Sequence, residues 1–147
     1  MLRIAAIVSM GALSVAGASV ASVDTGVVHV HAEMRPSVGL PQPTDAARAR
    51  GSFTATFPSA AARPRFLWTI LFFDLTGPAV ADLHLGSVDA PGRRLFTLCR
   101  RCKAGQSGST NLTKRGVRLI ESGRIYVVVR TNTNPRGEIR GQLLVHR

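Results

Sequence analysis

The residues of this chain that can do chemistry fall into three small groups. His29 and His31 stand two apart, as do Asp82 and His84. On a strand, side chains two apart share a face, so each pair offers two donors suited to a transition metal such as copper or zinc. Cys99-Arg100-Arg101-Cys102 holds the only cysteines, and Glu138 and Arg140 flank Ile139 near the C-terminus, again on one face.

Each group has a structural reading beside its chemical one. Closely spaced strand histidines hold copper in copper–zinc superoxide dismutases. Such a site needs more imidazoles than the four histidines here, one of which, His146, sits near the chain end. The alternative is that His29, His31, Asp82 and His84 are polar positions on half-exposed strands. Two cysteines alone cannot close a structural zinc site, which takes four ligands. In an exported chain a C-x-x-C pair is by default a disulfide, worth about 2 kcal/mol for so short a loop. The alternative is a redox-active pair, with the neighbouring guanidinium charges favouring thiolate. Thioredoxin-type pairs, however, open a helix after a strand, whereas this pair follows a short strand, Leu95 to Leu98, and enters a Gly/Ser loop, 103–111. No nucleophile elbow or glycine-rich phosphate loop is present. The sequence therefore assigns no catalytic residue and no cofactor.

The elements that position these residues read as strands. Arg3 followed by the uncharged apolar run Ile4 to Val15, with small residues before Ala18 and Ala21, has the layout of a cleaved secretory signal over residues 1–21. Beyond it no segment is long and apolar enough to span a membrane. One domain is expected over 27–146, secreted or periplasmic. Residues 27–32 alternate and are β-branched, and Phe53, Ala55 and Phe57 share a face. The run Phe66 to Phe73, apolar at nearly every position, predicts a central strand buried on both faces. Further strands are expected at 80–85, 95–98, 125–130 and 138–145, with no convincing amphipathic helix. Short strands and close turns predict an all-β, antiparallel, Greek-key-like sandwich. Trp68 and the phenylalanines belong to its core.

The chain carries a net charge of +11, and 17 of its 19 basic residues are arginine. They are scattered singly or in pairs and lack interleaved aromatics, which argues against specific nucleic-acid binding. For an exported protein this surplus points to anionic envelope polymers or an acidic protein partner. Asn111-Leu112-Thr113 is a glycosylation triplet, usable only in a eukaryotic source.

The C-terminal hairpin can be built from its residues. Pro135 suits the second position of a turn, Asn134 the first, and Gly137 the fourth. Gly141 leaves room for another backbone or ring to approach. The whole run from Gly123 to Thr131 and then Asn134-Pro135-Arg136-Gly137-Glu138-Ile139-Arg140-Gly141-Gln142-Leu143 resembles the end of a CHRD domain. Gly51 to Phe57 is similar to an early strand of that family, and Leu75-Thr76-Gly77-Pro78 with Ala81-Asp82-Leu83-His84 to its "LSGP…AHIH" segment. The resemblance implies a superoxide-dismutase-like β-sandwich in an extracellular compartment. With the signal pattern, the C-terminal hairpin and no coherent catalytic set, the expected role is a non-catalytic binding or structural module. The resemblance also exposes a departure, since the first histidine of the family's His-x-His is Asp82 here. Two other readings stay open: a dismutase-like metal protein using His29, His31, Asp82 and His84, and a thiol redox protein using Cys99 and Cys102.

Overall fold

The structure, a computed structural model, describes residues 26–36, 48–75, 77 and 79–147. The segment 1–21 read as a signal lies outside them, as do Thr76 and Pro78 of the family-like turn. Nine strands and one short helix follow in chain order among the described residues: β1 (Val27–Pro36), β2 (Arg50–Pro58), β3 (Arg65–Phe73), β4 (Ala79–Leu85), β5 (Arg94–Cys102), β6 (Gln106–Asn111), α1 (Lys114–Glu121), β7 (Ile125–Thr131), β8 (Ile139–Gln142) and β9 (Leu144–His146).

All pairings are antiparallel, and the strands run in the order β5-β4-β7-β8-β1-β2-β3-β6, with β9 also paired to β1. The sheet curls into a nearly closed barrel-like shape around one core. Alternation builds that core. Val28, Val30, Ala32 and Met34 of β1 point inward, as do Phe53, Ala55 and Phe57 of β2 and Phe66, Trp68 and Ile70 of β3. Phe66 packs against the rings of Phe53 and Phe57 at centroid distances of 6.2 and 6.1 Å.

β1 joins the two halves of the sheet. Residues 27–34 pair with β2 along one edge, while on the other edge His29 to His31 pair with β9 and Arg35 and Pro36 with β8. The strand expected over 138–145 is therefore two strands, with buried Leu143 between them donating its backbone N–H to Ile125 O at 3.0 Å. At this crossing a side chain on Gly141 would collide with the Glu33 carbonyl, so only glycine fits.

Three further sequence expectations are corrected. β3 is buried on one face only, with Leu67, Leu71 and Phe73 exposed outside. The strand buried on both faces is instead β7, because residues 84–92 and the turn before β8 pack over its outer side. The Gly/Ser stretch is not all loop, since residues 106–111 form edge strand β6, completing the hydrogen-bond row of β3. Pairing to an existing strand outweighs poor intrinsic β-propensity. The short strand expected at 95–98 continues to Cys102 through register shifts.

A helix also forms where none was expected. Thr113 Oγ1 accepts from Gly116 N at 3.1 Å and caps α1, whose one fully buried residue is Ile120. Eight residues with an internal glycine are too few to hold a helix unaided, so the helix depends on packing.

Gly108 stands opposite Trp68, and a methyl group there would strike the indole. Gly108→Ala is expected to destabilise by about 1–3 kcal/mol through overpacking. Emission of the single tryptophan should move to longer wavelength as the ring is displaced outward. Unchanged emission and an unchanged thermal midpoint would refute this account of the β3–β6 edge.

Candidate functional site

On the outer wall of the barrel, β4, β7 and β8 stack in register. Asp82, Val128 and Arg140 stand opposite one another, as do His84, Tyr126 and Gln142, so both rows face the same way. Apart from Gln142, these rows and the segments around them form a bowl of about 600 Å³ that also includes Arg94, Arg130 and Arg136.

Its floor is held by one buried acid. Asp82 is 1% exposed, and its Oδ2 accepts from Arg130 Nε at 2.7 Å while its Oδ1 accepts from Thr97 Oγ1 at 2.7 Å. A carboxylate taken out of water needs such partners. Where the family-like segment has its first histidine, this chain thus has an acid that anchors an arginine. His84 is engaged too. Its ring lies 5.3 Å from the Tyr126 ring, and its Nδ1 donates to Gly92 O at 3.1 Å. Tyr126 Oη in turn accepts from Gly92 N at 3.3 Å, and Gln142 Oε1 accepts from Val88 N at 3.2 Å. The loop 86–92 is thereby tied over the outer face.

The C-terminal motif forms the other rim. Gly137 N donates to Asn134 O at 3.0 Å, and Asn134 N to Thr131 Oγ1 at 3.1 Å, closing the turn. Glu138 is fully buried and accepts from Thr131 Oγ1 at 2.6 Å. Arg140 donates through Nη2 to Arg136 O at 2.9 Å, while its buried Nε has no hydrogen-bond partner among the described residues. An unpartnered guanidinium N–H taken out of water is expensive. Ile139 is buried in the core, facing away from the bowl.

The metal candidates do not come together. β7 and β8 separate β4, with Asp82 and His84, from β1, with His29 and His31. His29 instead faces His146 across β1 and β9, and His31 Nε2 lies 3.0 Å from Glu33 Oε1. Among the described residues no three His, Cys, Asp or Glu side chains are placed to hold a metal ion. Cys99 and Cys102 are bonded as a disulfide with Cα atoms 5.4 Å apart, both largely buried. Residues three apart on a regular strand face opposite ways. Here Arg101 has a positive φ of 60° and no partner across β4, and that bulge returns both sulfurs to one side.

The sequence singled out Asp82, His84 and Arg140 but not Arg94, Arg130, Arg136 or Tyr126. The available signal was parity. Arg130 follows Val128 at the strand period, and Arg136 and Arg140 bracket the turn motif, but cross-strand register decides which of them meet.

Fold and site define a single barrel-like β module with a cationic bowl on one outer wall. Residues 30–143 match the family model of the CHRD domain, and the chain belongs to that family. No curated protein and no solved structure matches the chain.

If Asp82 anchors Arg130, removing either side should strand the other. Asp82→Ala is expected to cost about 1–3 kcal/mol, and the Asp82→Ala/Arg130→Ala cycle, followed by thermal melts, should show coupling of about 0.5–3 kcal/mol. Additive effects would show that the two side chains act independently.

Proposed function

We propose that this chain is an exported, non-catalytic CHRD module that holds an anionic polymer of the cell envelope against the arginine bowl. The carrying observation is the bowl's charge. Arg94, Arg130, Arg136 and Arg140 line it, and the one acid among its described lining residues, Asp82, is buried and committed to Arg130. Field lines from several guanidinium groups converge in such a concavity, favouring polyanions over neutral chains. The non-catalytic reading is supported by the engagement of Asp82 and His84 in structural contacts. Export is supported by the charge and apolar pattern of residues 1–21, and no helix among the described residues is long and apolar enough to cross a membrane. In this reading the two halves of the curled sheet, joined by β1, are the two faces of a Greek-key, superoxide-dismutase-like sandwich.

Expression of the full chain in a secreting host should release protein whose N-terminal sequencing begins at Ser19 or Ser22. An intact Met1 on cell-retained protein would remove the export half of the proposal.

For the binding half, dextran sulfate serves as the probe and neutral dextran as the control. Affinity should fall with salt, and Arg94→Gln/Arg136→Gln should flatten the plot of log K against log salt by about one for each arginine that no longer pairs with a sulfate group. Arg63→Gln/Arg118→Gln removes the same charge elsewhere and should change the slope little. Equal flattening by the two double variants would mean that net charge alone governs binding, and the bowl would lose its role.

A further inference from the structure

β5 and β6 are neighbours in the chain yet stand at opposite ends of the strand order, so they do not pair with each other and the barrel stays open along a seam. A cleft of about 310 Å³ lies at that seam, between the start of β5, the end of β6 and α1. Phe66, Leu83, Ile120 and Ile125, all buried, line it together with the partly buried Leu95 and Leu119. The exposed ring of Phe96 also lines it. Among the described residues, the only ionisable side chains lining it are Arg93 and Arg115, both exposed, with no carboxylate beside them in the lining.

We propose that this cleft binds a single-chain amphiphile with an anionic head group, of the medium-chain fatty-acid type. Three features select that ligand class. The volume is roughly twice that of an engineered cavity of about 150 Å³ that admits benzene, and it sits at the low end of the ~300–1,000 Å³ typical of small-molecule sites. That is room for an acyl chain rather than for a helix or a folded partner. The apolar lining is the environment a hydrocarbon tail requires, and burying the tail there releases its hydration water. The two guanidinium groups, with no acid opposing them in the described lining, complement a carboxylate or similar head, which an arginine can grip through paired N–H donors. The site is separate from the outer bowl, sharing none of its lining residues.

The test is isothermal titration of the full chain with decanoate below its micelle concentration, with decyltrimethylammonium of the same chain length as comparator. Decanoate should bind one to one, and the cationic amphiphile about tenfold more weakly. Arg93→Gln/Arg115→Gln should remove most of that preference while leaving tail binding. Leu119→Trp, chosen to fill the cleft, should abolish binding of both while the thermal midpoint shows a folded protein. Arg94→Gln/Arg136→Gln in the bowl should leave decanoate affinity unchanged. Absence of saturable one-to-one binding, or undiminished binding by folded Leu119→Trp, overturns the proposal. Equal affinity for the two head groups, or loss of decanoate binding in the bowl variant, overturns the assignment of Arg93 and Arg115. The arginine variants are surface changes, so the test stands even if Leu119→Trp does not fold.

Discussion

The fold depends on the backbone pairing of β1. Its residues satisfy β2 on one edge and both β8 and β9 on the other, so a single strand carries hydrogen bonds from one half of the barrel to the other. Every buried N–H and C=O must find a partner, and β1 supplies them for three strands at once. The crossing with β8 is close enough that Gly141 must lack a side chain beside Glu33. With the halves joined there, the inward residues of β1, β2, β3 and β7 meet in one core.

That closure has consequences outside the barrel. β7 lies between β4 and β8 and is the strand whose two faces are both covered. Its inward Ile125, Val127 and Val129 belong to the core, while Tyr126 and Val128 are buried by the outer layer that also forms the bowl. Asp82 holds Arg130 and Thr97 across three adjacent strands, β7, β4 and β5. A buried ion pair of this kind specifies an arrangement more than it adds net stability. Here it fixes one arginine of the bowl in place, while the side chains of Arg94 and Arg136 stand exposed where a ligand can meet them.

The same topology leaves a weakness at the two ends of the strand order. Because β5 and β6 end the strand order instead of pairing, the sheet cannot close by hydrogen bonds alone. Three features border or tether this seam: α1, the Cys99–Cys102 bridge at the end of β5, and the bond from Gly105 N to Ile70 O. The outer wall is thus polar and cationic, and the seam opens onto apolar side chains, so the two concavities differ in the chemistry they can accept.

Whatever depends on local order can be read from consecutive residues. Alternation in residues 27–32 and 51–57 set which side chains of those strands face inward, and Asn134 to Gly137 set the hairpin turn, because period and turn chemistry are written in consecutive residues. The family was legible in the same stretches, and Asp82, His84 and Arg140 were already conspicuous. Tertiary structure alone decided the rest. β6 is a strand because β3 offers it a row of hydrogen-bond partners, and α1 is a helix because Ile120 has a core to enter. β7 rather than β3 is covered on both faces, although the run from Phe66 to Phe73 is the more continuously apolar, because a strand's second face is buried only by what folds over it. Asp82 meets Arg130, and His84 stays far from His29, for the same reason. Contacts between strands depend on order and register, and no local pattern encodes which distant strand will lie alongside.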